Sequence, residues 1–201
     1  MTFNLEKKAE EFVTIAHKGQ YRSDGMTPYI EHPRDVVNLL KKIGITDDDV
    51  LAAAWLHDVI EDCNVSKHKL KLEFNSHVST LVCILTKEGS KTAYFDRIST
   101  APLEAKLIKL ADVAHNCQTL TYLGVTPDMI KTKIEECDKF YLPLAKQISA
   151  LFYNMINSSL SSLRGKSFVY DLKCNRTIEF GKWYSPIVPV DGRYWMEDGF
   201  D

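Results

Sequence analysis

The run Leu51-Ala52-Ala53-Ala54-Trp55-Leu56-His57-Asp58-Val59-Ile60-Glu61-Asp62 sets four ionisable side chains into an otherwise apolar stretch. Read as a helix, it puts Glu61 one turn beyond His57 and Asp62 one turn beyond Asp58, so the four groups form two adjacent stripes on one side. His57 and Asp58 offer one ring nitrogen and one or two oxygens to a divalent ion, while Glu61 and Asp62 can hold and deprotonate a water. Two other places supply further donors. His32 lies in Tyr29-Ile30-Glu31-His32-Pro33, just before a proline that favours the start of a helix, and Asp112 lies in Lys109-Leu110-Ala111-Asp112, within another apolar helix. The candidate metal set is therefore His32, His57, Asp58 and Asp112. Two imidazoles and two carboxylates without a thiolate suit Mn, Fe or Zn in an open site better than a closed structural zinc site, and Mn2+ is the expected ion.

A single His or Asp on an apolar helix is usually a hydrogen-bonded structural group. Grouping changes that reading. Burying His57, Asp58, Glu61 and Asp62 unpaired would be costly or would force large pKa shifts, and a bound cation is the simplest compensation.

Four stretches in order carry a resemblance: Ala16-His17-Lys18-Gly19-Gln20-Tyr21-Arg22-Ser23-Asp24-Gly25, Pro28-Tyr29-Ile30-Glu31-His32-Pro33, Leu56-His57-Asp58-Val59-Ile60-Glu61-Asp62 and Lys109-Leu110-Ala111-Asp112-Val113-Ala114-His115-Asn116. The order His, His-Asp, Asp resembles that of the HD phosphohydrolases. The surrounding text is similar to the hydrolase domain of the RelA/SpoT family and its small stand-alone members of the metazoan SpoT homologue type, over roughly residues 5 to 125. Phe140-Tyr141-Leu142-Pro143-Leu144-Ala145 is similar to the segment that follows that domain. The resemblance implies hydrolysis of the 3′-pyrophosphate of ppGpp and pppGpp to GDP or GTP plus pyrophosphate. It also implies Mn2+ on His32, His57, Asp58 and Asp112, with Glu61 and Asp62 as the catalytic pair activating water. Arg22, with Ser23 beside it, would meet the guanine side of the nucleotide and Asn116 would lie near its sugar. The family often has a basic residue where this chain has Ser23, and an arginine where it has Val113 or Gln118. Positive charge is thereby removed near the base or a phosphate. This motivates the alternative of an HD phosphohydrolase for another nucleotide, such as (p)ppApp or a 3′- or 2′-phosphorylated nucleotide; a further alternative, a nucleotide-binding module without turnover, rests on the aromatic C-terminal tail alone.

Composition frames the site. A chain of 201 residues, 45% hydrophobic, can bury one good core with a small appendage. The start Met-Thr-Phe-Asn-Leu-Glu-Lys-Lys lacks a signal-peptide segment, and no apolar run reaches membrane-spanning length, so a cytoplasmic protein without membrane partners is expected. Cys63, Cys83, Cys117, Cys137 and Cys174 are scattered, odd in number and without a CxxC pair, as reduced thiols are. A net charge of −2 argues against a polynucleotide partner, and the resemblance implies a small-molecule nucleotide as substrate instead. Lys87, Lys91, Lys106 and Lys109 read as solvated surface groups. His17 and His115 read as supporting or surface groups, and His68 and His77 as solvated.

The elements that must position these residues are helical as far as residue 163. Leu5, Ala9, Phe12, Val13 and Ala16 repeat at helical spacing; Val36, Val37, Leu40 and Ile43 do so in a helix stopped by Gly44, which leaves Arg22 on the loop between them. Thr46 with Asp49 resembles a capping box and predicts a helix from about Asp47 to Ile60. Ser66 and Ser76 are expected to start the next two helices. A helix over 102–121 places Asp112 and Asn116 on one face. Thr126-Pro127 opens another helix, which Pro143 is expected to break or kink before Leu144 to Leu163 continue. Beyond it, Phe168-Val169-Tyr170, Thr177-Ile178-Glu179-Phe180, Trp183-Tyr184 and Ile187-Val188 read as short strands. The expected fold is thus an all-α HD-domain bundle over 1–163 with a small β-rich C-terminal extension over 164–201. Trp183 and Trp195 are expected to anchor that extension on the helical body, with a subunit contact in a homo-oligomer as the alternative.

Overall fold

A computed structural model describes residues 4–120, 124–171 and 176–179. Asn4 caps α1 (Leu5–Ala16) by accepting from the Lys7 amide at 2.7 Å. The following loop is closed by Asp24, whose carboxylate accepts from the Met26 and Thr27 amides at 2.9 and 2.8 Å and from the Thr27 hydroxyl at 2.6 Å. This turn holds Arg22 in place at the loop's edge. In α2 (Glu31–Lys42) Pro33 is the third residue, where the first turn needs no donor from it, and Gly44 at φ +87° ends the helix as expected.

Every residue from Val50 to Trp55 is buried in α3 (Asp48–Trp55). Its cap is Asp47, which accepts from the Val50 amide at 3.1 Å. The expected Thr46–Asp49 box gives way because Asp49 turns to Asn75 Nδ2 at 2.9 Å and His77 Nδ1 at 3.2 Å. The single helix expected to Ile60 is also interrupted: residues 56–58 form a turn, and α4 (Val59–Asp62) starts afresh. The reason is local. In an unbroken helix the Ala54 carbonyl would accept from the Asp58 amide, whereas here it accepts from His57 Nδ1 at 2.8 Å. The two-stripe arrangement of one continuous helix is therefore corrected to a turn that carries His57 and Asp58 and a short helix that carries Glu61 and Asp62.

Ser66, Asn75 and Ser90 cap α5 (Lys67–Glu73), α6 (Ser76–Leu85) and α7 (Lys91–Thr100), so Ser76 is the first residue of its helix and not its cap. Next come α8 (Leu103–Gln118) and α9 (Pro127–Glu136), the latter capped by Thr126 with its proline in the first turn. A π-helical turn, Cys137–Tyr141, leads into α10 (Leu142–Ile148), and α11 (Ala150–Ser161) follows a break at Ser149. The break expected at Pro143 is thus displaced. The widened turn ahead of it absorbs the missing donor, and Ser149 ends the helix instead. Helix α8 is the axis of the bundle. It packs on α2, α3, α6, α7 and α11, with Ala105, Ile108, Leu110, Ala111, Ala114 and Cys117 all buried.

Past the bundle, β1 (Phe168–Asp171) pairs antiparallel with β2 (Arg176–Glu179), Phe168 opposite Glu179 and Asp171 opposite Arg176. The Thr177 hydroxyl donates to the Val125 carbonyl, which ties the hairpin to the segment before α9. The expected β-rich extension is therefore corrected to this one hairpin among the described residues; Trp183, Tyr184, Ile187, Val188 and Trp195 lie outside them. The helical class stands. No helix among the described residues is long and apolar enough to cross a membrane.

Candidate metal centre

Three separate pieces of chain converge on one point. His32 comes from the first turn of α2, His57 and Asp58 from the turn between α3 and α4, and Asp112 from the middle of α8. His32 Nε2 stands 3.2 Å from His57 Nε2, 3.5 Å from Asp58 Oδ2 and 3.2 Å from Asp112 Oδ1. His57 Nε2 stands 3.0 Å from Asp58 Oδ2 and 3.9 Å from Asp112 Oδ1. Ligand atoms of His32, His57 and Asp112 all lie within 4.8 Å of one another, and these three residues are buried.

Each donor is held from behind. His57 Nδ1 donates to the Ala54 carbonyl at 2.8 Å, which leaves Nε2 with its lone pair facing the centre. The Tyr29 hydroxyl donates to Asp58 Oδ2 at 2.6 Å, and Tyr29 itself stacks on His17 with centroids 4.5 Å apart. Burial and the Asp58 carboxylate push the Tyr29 hydroxyl well above its usual range, so it remains a donor. Asp112 Oδ2 accepts from Lys109 Nζ at 2.8 Å and Oδ1 accepts from Asn116 Nδ2 at 2.5 Å. Burial opposes the Lys109 charge, yet Asp112 outweighs it and holds the ammonium well above its normal range. The Tyr94 and Tyr141 rings add support at 5.4 and 5.8 Å from Nζ. Burial likewise opposes charge on Asp58 and Asp112, but His57 for the first and Lys109 for the second keep both carboxyls well below the usual range.

Two facing imidazole nitrogens and two ionised carboxylates at this spacing suit a divalent ion. Donors bonded at about 2.0–2.1 Å to one ion stand roughly 3.0–3.4 Å apart, close to the separations seen here. Without an ion the cluster must take a proton instead. Burial disfavours it, but Asp58 and Asp112 overcome that and push His57 up to about 9. Proton and metal compete for the same Nε2 lone pair, so divalent-ion affinity is expected to rise with pH, about tenfold per unit from pH 7 towards 9, and to flatten above. Mn2+ titrations at several pH values check this; a flat profile across that window would contradict it.

The expected nucleotide residues are also brought together. Arg22 Nη2 donates to Asn116 Oδ1 at 2.8 Å and approaches Thr119 Oγ1 at 3.5 Å, while its guanidinium lies 5.6 Å from the Tyr29 ring centroid. A polar chain thus runs from Arg22 through Asn116 to Asp112. Ser23 adjoins Arg22, and its carbonyl packs so closely on Gly124 that a Cβ there would overlap it. Glu61 and Asp62 sit on α4 and are exposed. Glu61 Oε1 accepts from the Lys87 amide at 2.7 Å, with Lys87 Nζ 3.5 Å from Oε2. Asp62 offers its backbone carbonyl to Gln20 Nε2 at 3.1 Å, and its carboxylate acts on the Tyr29 hydroxyl.

Lys109, Tyr29, Lys87 and His115 were not among the expected site residues. Lys109 is 6% exposed, which overturns its reading as a solvated group; its signal was its place among Leu107, Ile108, Leu110 and Ala111, three residues before Asp112. His115 supports the site from behind, with Nδ1 2.7 Å from His32 Nδ1. Burial and then His32 push His115 down to about 4. His17 meets Gln20 Oε1 at 2.7 Å through Nδ1, a supporting role as expected. His77 pairs with Asp49 at the surface, and His68 is exposed.

A helical bundle with a His-Asp turn facing a second histidine and a mid-helix aspartate defines an HD-domain protein. An HD-domain family model matches residues 9–93. The guanosine-3′,5′-bis(diphosphate) 3′-pyrophosphohydrolase MESH1 of Xenopus tropicalis is 36% identical over 121 residues, 56% of this chain and 68% of that protein. A guanosine-3′,5′-bis(diphosphate) 3′-pyrophosphohydrolase of Haemophilus influenzae is 34% identical over 145 residues, 66% of this chain but 21% of that protein. The chain therefore spans about a fifth of the long bacterial relatives it matches. The solved structure of a metazoan ortholog of SpoT, described as hydrolysing ppGpp and acting in starvation responses, superposes with a TM-score of 0.72 at 26% identity, covering 82% of this chain and 98% of that one. The chain belongs to the family of HD-domain guanosine-3′,5′-bis(diphosphate) 3′-pyrophosphohydrolases.

Proposed function

We propose that this protein hydrolyses the 3′-pyrophosphate of guanosine alarmones, converting (p)ppGpp and water to GDP or GTP and pyrophosphate, with one Mn2+ held by His32, His57, Asp58 and Asp112. The observation that carries it is the convergence of those four donors, each anchored from behind, in a chain of this family. When bound, the ion would acidify a water and neutralise charge on the scissile pyrophosphate. The remaining work falls to the side chains. Glu61 and Asp62, one short helix away, hold the attacking water and take its proton, and the Lys87 amide and ammonium orient the Glu61 carboxylate for that task. Arg22 and Asn116 receive the base and sugar ends of the nucleotide, Ser23 lines the same loop, and the Tyr29 ring supports the guanidinium. In-line attack at phosphorus then needs mainly positioning.

We assign the hydrolase domain to residues 1–163 and the extension to 164–201, and place the protein in the cytoplasm with its nucleotide substrate. No polynucleotide or membrane partner enters the reading; the tail is assigned to pack on its own helical body, with a homo-oligomer contact as the alternative.

The deciding experiment incubates metal-stripped protein with ppGpp, with and without Mn2+, and separates products by ion exchange. GDP and pyrophosphate are expected only with metal; intact ppGpp beside faster turnover of (p)ppApp or of a 2′- or 3′-phosphorylated nucleotide would move the substrate elsewhere. Glu61→Gln and Asp62→Asn are each expected to lower turnover by about a hundredfold to ten-thousandfold while Mn2+ still binds. Unchanged turnover in both would remove the water-activating role.

A further inference from the structure

His32 is buried, and its two ring nitrogens look in different directions. Nε2 faces the other three donors, whereas Nδ1 lies 2.7 Å from His115 Nδ1. Two imidazole nitrogens at that distance must share one proton: with none the lone pairs repel, and with two the N–H groups collide. The other nitrogen of His115, Nε2, stands 3.4 Å from Asp35 Oδ2. The placement is reciprocal. Helix α2 carries His32 and Asp35 three residues apart, α8 carries Asp112 and His115 three residues apart, and each helix supplies one inner and one outer member.

The partner of His57 is a backbone carbonyl, which only accepts, so the His57 tautomer follows without further help. An imidazole partner is ambivalent and can either give or take a proton. What removes the ambiguity is Asp35, a carboxylate that only accepts and so assigns the His115 proton to Nε2, leaving Nδ1 as acceptor.

Resting on the metal-centre reading above, we infer that His115 is a positioning residue. It accepts the proton of His32 Nδ1 and thereby keeps the His32 Nε2 lone pair directed at the metal, with Asp35 holding the His115 proton. The polarity runs one way along the whole chain, from the metal through His32 and His115 to Asp35. Asp35 and His115 line a cavity of about 650 Å³ together with Asn38, Lys42, Gln118 and Thr119, and none of the four donors borders it.

The test titrates metal-stripped protein with Mn2+ and reads the electron paramagnetic resonance signal of the free ion. His115→Phe removes the acceptor and is expected to weaken Mn2+ binding by about 10–100-fold. His115→Gln places an amide oxygen that can accept from Nδ1–H and is expected to restore affinity to within a few-fold of the unaltered protein. Nitrogen-15 spectra of the unaltered protein loaded with diamagnetic Zn2+ give a reading that does not depend on any variant folding. His32 is expected as the Nδ1–H tautomer and His115 as the Nε2–H tautomer. Mn2+ affinity unchanged in His115→Phe, a glutamine variant as weak as the phenylalanine one, or His115 found protonated at Nδ1 would each overturn the inference. Failure of the unaltered protein to bind Mn2+ or Zn2+ at all would instead sink the metal-centre reading, and this inference with it.

Discussion

Replacing His57 with alanine is expected to abolish Mn2+-dependent turnover of ppGpp, by on the order of a thousandfold or more, and to remove stoichiometric metal binding. The imidazole is not replaceable by a neighbour. His57 Nε2 stands between His32 Nε2 and Asp58 Oδ2 at 3.2 and 3.0 Å, so its loss opens one side of the donor set. The same substitution frees the Ala54 carbonyl, which can then take the Asp58 amide and let helix α3 run on through the turn. Asp58 would be carried out of register with the centre. Equilibrium dialysis against Mn2+ and a ppGpp assay on the same preparation check both effects; a variant that binds one equivalent of Mn2+ with ordinary affinity would refute them.

Lys109→Met should cost the metal-free protein about 3–5 kcal/mol, because it strands the buried Asp112 carboxylate while keeping the volume of the aliphatic stem. For a chain of this size that corresponds to a fall in melting temperature of roughly 6–20 °C. Adding Asp112→Asn removes the stranded charge and should recover most of the loss, which separates a charge effect from a packing effect. Saturating Mn2+ should also restore part of the stability of the single variant, since the ion takes over neutralising Asp112. A melting temperature unchanged in metal-free Lys109→Met would mean that the ion pair at 2.8 Å carries little.

The convergence of His32, His57-Asp58 and Asp112 on one point was legible because these residues are chemically conspicuous in apolar surroundings, and caps such as Ser66 and Thr126 announced their helices through short-range chemistry. The interruption at residues 56–58 was not legible. Apolar spacing runs straight through Leu56, Val59 and Ile60, and the competing acceptor for His57 is a backbone carbonyl, which every residue possesses. Lys109 was misread by a rule that holds for most lysines, because only tertiary packing against Tyr94 and Tyr141 makes burial tolerable. The contact of His115 with His32 spans 83 positions and depends on how α2 meets α8, which no periodicity reports. In the tail, Phe168-Val169-Tyr170 and Thr177-Ile178-Glu179 were legible as strands from their β-branched and aromatic residues, while Trp183-Tyr184 and Ile187-Val188 lie outside the described residues.

The polar chain from Arg22 through Asn116 to Asp112 has a thermodynamic corollary. Any ligand that draws Arg22 away from Asn116 changes how the Asn116 amide meets Asp112 Oδ1, and with it the donor strength of that oxygen. Occupancy at one end is then felt at the other. By linkage the factor by which a nucleotide alters the affinity for the ion equals the factor by which the ion alters the affinity for the nucleotide, so the two would be bound as coupled ligands rather than as independent ones.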